Sequence, residues 1–122
     1  MSKGKSVLIV EDEKPLALAL TTKLVKEGFD VQSVENGAEA LEKLESGRFD
    51  VMITDLVMPG TDGFGLLEEI NRKKLKIATI VLSNLSQDSD EKRALELGVT
   101  KFLVKSDTPL VDIVSIVNDV TS

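Results

Sequence analysis

The sequence predicts a doubly wound α/β domain, in which a parallel β-sheet lies between two layers of helices. Short apolar runs alternate along the chain with longer amphipathic segments. Three of these runs contain almost no polar residue, which suits strands that are covered on both faces. Neighbouring parallel strands require crossovers, and right-handed crossovers place helices on both faces of the sheet. The alternation therefore predicts three layers, α/β/α.

The predicted strands are five short runs rich in β-branched residues, a composition typical of buried strands. They cover residues 7–10, 31–34, 51–53, 77–82 and 102–104, and the second is the weakest. No linker, repeat or low-complexity segment separates them. We therefore expect residues 1–122 to form one domain.

Five helical segments alternate with the strands, and in four of them apolar residues recur three and four positions apart. These residues are Leu16, Leu20 and Leu24; Ala38, Leu41 and Leu44; Leu66, Leu67 and Ile70; and Leu110, Ile113, Val114 and Val117. The fourth segment, residues 86–97, is the most polar, with only Ala94, Leu95 and Leu97 apolar. We expect this helix to be the least securely held.

Glycine and proline mark the expected helix ends. Glycines in left-handed conformation commonly close helices, and three glycines follow helical segments here. They are Gly28, Gly47 and Gly98. Asp107 or Thr108 is expected to cap the last helix, with Pro109 in its first turn.

The composition excludes several classes of function. The chain has no Cys and no His, which excludes disulfides, thiolate chemistry, His or Cys metal sites and phosphohistidine. Its net charge of −6 gives it no electrostatic reason to bind nucleic acid by itself. No apolar stretch is long enough for a signal peptide or a membrane span, so we expect a cytoplasmic location.

Polar residues follow the predicted strands where chemistry is expected in such sheets, beyond the carboxyl ends of the strands. Glu11 and Asp12 follow the first strand, Asp55 the third, Ser83 the fourth and Lys105 the fifth. If the first and third strands are neighbours, three carboxylates converge at one edge of the sheet.

Three close carboxylates repel one another and favour a bound cation. Without His or Cys ligands the cation is a hard one, and Mg²⁺ fits best because it binds one or two carboxylates together with phosphate. An Asp carboxylate is a nucleophile for phosphoryl transfer, and a Lys and a Ser can bind phosphate oxygens. The pattern therefore indicates phosphorylation of Asp55.

Each residue also has a structural interpretation. Asp12 could be no more than the N-cap of the first helix, and Asp55 could be no more than a cap of the turn at residues 58–60. Ser83 could be a loop hydroxyl, and Lys105 a solvated surface charge. Polar residues at the same end of four different core strands favour a common site over four separate coincidences.

Four motifs make the chain resemble the response regulator receiver domains of two-component signalling systems over essentially its whole length. They are VLIVEDE (7–13), DVMITDLVMPGTDGFGLL (50–67), TIVLS (79–83) and KFLVK (101–105). The second is the most specific. The resemblance implies a flavodoxin-like fold with strand order 2-1-3-4-5.

The resemblance also implies roles for individual residues. Asp55 is the expected phosphoacceptor, and Asp12 the direct ligand of Mg²⁺ or Mn²⁺. Glu11 would act through a bound water, and the Val57 carbonyl would be a further ligand.

A second group of residues is implied to respond to phosphorylation. Ser83 would move toward the phosphoryl group, and Lys105 would pair with it. Phe102 would be the aromatic switch residue, and without a hydroxyl it would have to act through packing.

The resemblance further implies partners. The phosphoryl donor would be a phosphohistidine on a sensor histidine kinase or phosphotransfer protein. An output domain or target protein would respond, and a homodimer could form through the fourth helix, fifth strand and fifth helix. The domain would be no enzyme beyond promoting its own phosphorylation and slow dephosphorylation.

Three departures from the family pattern modify these expectations. Ser106 follows Lys105 where Pro after a cis bond is usual, and a non-proline cis bond costs about 2.5–4 kcal/mol, so we predict a trans bond and a rearranged loop. Asn84 could narrow access to the site. Val57 and Leu85 cannot orient a hydrolytic water, which predicts slow loss of phosphate.

Other functions remain open. The domain could stand alone or belong to a longer regulator, and it could be an unphosphorylated binding scaffold, although the expected acidic residues and Lys105 are present. A flavin-binding protein or a haloacid-type phosphotransferase could share the fold. Against these, Leu56-Val57 after Asp55 breaks the Asp-x-Asp pattern, and no Gly-rich loop follows the first strand.

Overall fold

The computed structural model describes residues 4–58, 61–84 and 88–122, and only the backbone of residues 61 and 62. Five parallel strands form one sheet in the order β2-β1-β3-β4-β5, which confirms the predicted order. The strands are β1 (Ser6–Val10), β2 (Asp30–Val34), β3 (Val51–Thr54), β4 (Ala78–Ser83) and β5 (Lys101–Val104).

Within the described residues, five α-helices connect and follow the strands, as predicted. They are α1 (Lys14–Lys26), α2 (Gly37–Ser46), α3 (Gly63–Arg72), α4 (Asp88–Glu96) and α5 (Leu110–Thr121). The structure also contains elements that were not predicted: a short antiparallel pair between Val57–Met58 and Thr61–Asp62, and a 3₁₀ turn at Lys105–Asp107. Elements of two or three residues are too short to leave a periodic pattern.

The core occupies both faces of the sheet, because alternate residues of a strand point in opposite directions. Val7 and Ile9 pack on one face in a cluster with residues of α1 and α5. Leu8 and Val10 pack on the other face with residues of α2 and α3. All four are fully buried, as expected for a strand covered on both sides.

The apolar residues predicted to face the core are confirmed in α1, α3 and α5 but not throughout α2. The predicted residue Ala38 is exposed, whereas Gly37, Ala40 and Leu44 form the buried face. The helix begins at Gly37, so positions 37, 40 and 44 share the side that faces the sheet. In α4 only Ala94 is buried and Leu95 is 48% exposed, in agreement with a helix that buries little apolar surface.

Two of the three predicted glycine helix ends are confirmed. Gly28 and Gly98 have φ values of +96° and +92°, the left-handed region. Gly47 ends α2 with extended backbone at φ −135°, so the left-handed prediction was wrong there. Its N–H still reaches the Lys43 carbonyl.

The start of α5 differs from the prediction. Pro109 itself occupies the N-cap position, and neither Asp107 nor Thr108 caps the helix. The Thr108 hydroxyl instead donates to the Val104 carbonyl at 2.8 Å and closes the 3₁₀ turn. No cis peptide bond occurs within the described residues, so the bond between Lys105 and Ser106 is trans, as predicted.

Candidate functional site

The strand register brings the predicted polar residues to one edge of the sheet. Val10 of β1 lies opposite Thr54 of β3, and the Asp55 N–H donates to the Val10 carbonyl at 3.2 Å. Ser83 ends β4 opposite Val104, the residue before Lys105. The residues that end or follow β1, β3, β4 and β5 therefore share the carboxyl edge of the sheet.

The Asp55 carboxylate is buried, with 6% of the residue exposed. Its Oδ1 accepts hydrogen bonds from the N–H groups of Leu56 and Val57 at 2.7 and 3.2 Å. Its Oδ2 accepts from Lys105 Nζ at 2.7 Å. Asp55 thus accepts hydrogen bonds from the two N–H groups that directly follow it and also faces the site. Residues 59 and 60, which belong to the turn that Asp55 was expected to cap, lie outside the described residues, so that expectation stays a prediction.

Glu11, Asp12 and Asp55 form an acidic cluster. One carboxylate oxygen of each lies within 4.8 Å of the others. Asp12 does not cap α1, because Glu13 occupies the N-cap position. Three convergent carboxylates with oxygen ligands alone fit a hard divalent cation such as Mg²⁺, which also retains several waters.

Lys105 is not a solvated surface charge. Only 10% of its side chain is exposed, and its Nζ forms ion pairs with Asp55 at 2.7 Å, with Glu11 at 3.0 Å and with Glu13. Burial by itself lowers the pKa of the Lys105 ammonium, but hydrogen bonds to Asp55, Glu13 and Glu11 outweigh burial and raise this pKa above its ordinary value. The ammonium therefore remains charged.

Burial has the dominant effect on Glu11, of which 3% is exposed. It raises the pKa of the Glu11 carboxyl, although hydrogen bonds from the Glu13 N–H and from Lys105 oppose the shift. A carboxylate whose charged form is disfavoured by burial gains from any cation that binds beside it. The acidic cluster is thus receptive to a metal ion.

Glu13 belongs to this site although it was not predicted from the sequence. It is the third acidic residue of the VLIVEDE motif and contacts Lys105, although 59% of its side chain is exposed. An acidic residue just before a helix is commonly explained by the helix dipole. Only its position in the same motif as Glu11 and Asp12 could have indicated a role.

A cleft of about 440 Å³ opens over the carboxyl edge of the sheet. Its lining residues are Asp12, Glu13, Asp55, Val57, Ser83, Asn84 and Lys105. Asn84 is exposed and Val57 is 59% exposed at this opening. Leu85, the third residue predicted to surround the site, lies outside the described residues.

Ser83 and Phe102 occupy different environments. Ser83 is fully buried at the end of β4 and is therefore no loop hydroxyl. Phe102 is half-buried and packs against a cluster that includes Leu56, Phe64 and Ala94. Since Leu56 directly follows Asp55, this cluster lies between the Phe102 ring and the site.

A family model described as the response regulator receiver domain matches residues 7–117. The chain is 30% identical over 106 residues to the alkaline phosphatase synthesis transcriptional regulatory protein PhoP of Bacillus subtilis, covering 87% of this chain and 44% of that protein. It thus spans less than half the length of this curated relative.

Within the described residues, no helix is long and apolar enough to cross a membrane.

Solved structures give the same result. The receiver domain of the Francisella response regulator 1452 superposes with a TM-score of 0.91 at 27% identity, covering 97% of each chain. The response regulator protein TrrA from Thermotoga maritima, solved in complex with Mg²⁺ and BeF, is 31% identical with a TM-score of 0.83. That match covers 95% of this chain and 98% of TrrA.

Proposed function

The chain belongs to the response regulator receiver domain family, and on this premise we propose that it accepts a phosphoryl group on Asp55 and thereby controls a partner or output domain. The observation that supports this most is the position of the Asp55 carboxylate. It is buried beside Glu11 and paired with Lys105 at the carboxyl edge of the sheet, while it also lines the cleft. A buried carboxylate that faces a cleft is placed for nucleophilic attack.

In the proposed transfer, a carboxylate oxygen of Asp55 forms a bond to the phosphorus atom of a phosphohistidine on a donor protein. The bond between phosphorus and the imidazole nitrogen breaks, and its electron pair remains on that nitrogen. The product is an acyl phosphate on Asp55. The reaction depends mainly on alignment and on neutralisation of charge, and the domain is no enzyme beyond this reaction and the slow loss of the group.

Asp12, Asp55 and the Val57 carbonyl are the proposed ligands of Mg²⁺ or Mn²⁺, and Glu11 is proposed to bind the ion through a water. The ion would neutralise the charge of the carboxylates and of the incoming phosphoryl oxygens. Two observations support this proposal: the acidic cluster in this chain and the Mg²⁺ and BeF complex of the related TrrA.

Lys105 and Ser83 are the proposed phosphoryl-binding residues. Both line the cleft with Asp55, and the Lys105 ammonium already contacts its Oδ2. Phe102 would respond to movement of Ser83 by repacking against its hydrophobic cluster. Val57 exposes an apolar side chain at the opening, and this side chain cannot orient a hydrolytic water, which supports slow loss of phosphate.

The proposed partners are a sensor histidine kinase or phosphotransfer protein as donor, and an output domain or target protein as receiver of the signal. The relative PhoP is named a transcriptional regulatory protein, and a Staphylococcus aureus relative, 27% identical, a DNA-binding response regulator. These names support an output that acts on transcription through a domain other than this one. Homodimerisation through α4, β5 and α5 and a cytoplasmic location stay predictions.

Incubation with acetyl phosphate, with and without Mg²⁺, tests the proposal by intact-protein mass spectrometry. We expect a phosphoryl adduct on the wild type only with Mg²⁺, and none on Asp55→Asn. Asp119→Asn, at an exposed position of α5, removes the same charge and should behave as wild type. An equal adduct on the wild type and on Asp55→Asn would contradict the proposal.

A further inference from the structure

Glu13 stands at the N-cap of α1 but does not act as a cap. Its side chain forms no capping hydrogen bond, whereas the shorter Asp commonly accepts bonds from the first-turn amides at this position. The Glu13 N–H donates to Glu11 Oε2 at 3.0 Å, which ties this residue to the acidic cluster. The Glu13 carboxylate turns to Lys105 instead.

The Lys105 ammonium has three N–H donors, and three carboxylates accept from it. Its acceptors are Asp55, Glu11 and Glu13. No donor then remains for an incoming phosphoryl oxygen unless one of the three carboxylates is released.

The three partners of Lys105 differ in how readily they can leave. Glu11 and Asp55 have side chains that are 3% and 7% exposed, so in the metal-free site a carboxylate released there would stay buried and lose its cation. The Glu13 side chain is 59% exposed and can be solvated at once. An ion pair with an exposed partner contributes little free energy, so Glu13 is the partner that can be exchanged.

We propose that Glu13 is a positioning residue that holds the Lys105 ammonium in the unphosphorylated site and slows phosphorylation of Asp55. This inference rests on the proposed function. Before transfer, Lys105 must exchange the Glu13 carboxylate for an oxygen of the phosphoryl donor. The donor is anionic, so Glu13 and the donor compete for the same ammonium.

A simpler explanation is that Glu13 acts only as one negative charge near the opening of the cleft. A pair of variants separates the two explanations. Glu13→Gln removes the charge and the ion pair together. Glu13→Asp keeps the charge but is one methylene shorter, and Asp at an N-cap position bonds the first-turn amides, which draws its carboxylate away from Lys105.

The experiment measures the rate at which acetyl phosphate and Mg²⁺ phosphorylate each protein, with Glu42→Gln, an exposed acid of α2, as matched charge control. We expect Glu13→Gln and Glu13→Asp to react about two- to fivefold faster than wild type, the range that one partly exposed ion pair supplies. Glu42→Gln should react as wild type. The NMR signal of the Lys105 ammonium in the unphosphorylated, metal-free protein should show faster proton exchange with water in both Glu13 variants.

Three results would overturn the inference: a faster rate in Glu13→Gln with a wild-type rate in Glu13→Asp, unchanged rates in both, or slower rates in both. An unchanged ammonium signal in both variants would overturn it as well. If the wild-type protein takes no phosphoryl group, that result would instead overturn the proposed function, and with it the effect of Glu13 on the phosphorylation rate.

Discussion

The interior of the sheet and its carboxyl edge are both buried, but they are stabilised in different ways. Val7, Ile53 and Ile80 lie in the interior and pack in one apolar cluster, so their burial is favourable by itself. Glu11 and Asp55 follow two of the same strands and are almost equally buried, yet burial disfavours their charge. The contrast shows that each strand has two roles. Its interior residues stabilise the fold, whereas the acidic residue that follows it carries a buried negative charge that a nearby cation must balance.

The largest effect is expected in the interior. Ile53→Ala should lower the free energy of unfolding by about 2–5 kcal/mol, because it leaves a cavity among fully buried side chains. Urea unfolding followed by circular dichroism measures this change.

Asp55→Asn, two positions further along, is the matched variant for that comparison. It removes one of the three carboxylates that crowd around Lys105 and leaves Glu11 and Glu13 as its partners, so we expect Asp55→Asn to lower the free energy of unfolding far less than Ile53→Ala does. A loss as large as that of Ile53→Ala would show that the site stabilises the fold as the interior does.

The second-largest effect is expected from removal of the Lys105 ammonium, the cation at the carboxyl edge of the sheet. Lys105→Met should lower the free energy of unfolding by about 1–3 kcal/mol in metal-free buffer, since Glu11 and Asp55 lose their charged donor. Added Mg²⁺ should restore more stability to this variant than to wild type, because the ion replaces the missing charge. Thermal unfolding with and without Mg²⁺ measures both changes.

Lys92→Met, at an exposed position of α4, is the control, and it should change stability by no more than about 0.5 kcal/mol. An equal response of wild type and Lys105→Met to Mg²⁺ would mean that the ion does not bind beside Glu11 and Asp55.

The smallest effect on the fold is expected at the opening of the cleft. Val57→Asn should leave stability within about 0.5 kcal/mol, because the Val57 side chain is mostly exposed. It should nevertheless shorten the lifetime of the phosphorylated protein severalfold, since an amide can orient the hydrolytic water. Loss of the adduct over time, followed by mass spectrometry in Mg²⁺ buffer, measures the lifetime.

Val111→Asn, at another exposed apolar position, on α5, is the control and should leave the lifetime unchanged. If Val57→Asn holds its phosphate as long as wild type does, the apolar side chain of Val57 does not slow dephosphorylation.

Much of the fold could be predicted from the sequence because burial on both faces leaves a direct pattern. The apolar runs marked all five strands of the sheet, and the glycines at 28 and 98 marked helix ends that require positive φ. The buried face of α2 could not be predicted, because Ala38 and Ala40 are chemically identical and only the start of the helix at Gly37 decides which one faces the sheet. The extended backbone at Gly47 could not be predicted either, because glycine adopts both the left-handed and the extended conformation.

For the site, the sequence by itself determined which residues could meet, because parallel strands bring their carboxyl ends to one edge. Glu11, Asp12, Asp55, Ser83 and Lys105 all follow from that rule. Only the tertiary structure decided which partners Lys105 takes, and it added Glu13 to Asp55 and Glu11. The long, flexible side chain of a lysine lets its ammonium reach many carboxylates. Its partners therefore depend on distances and burial that exist only once the strands and helices have packed.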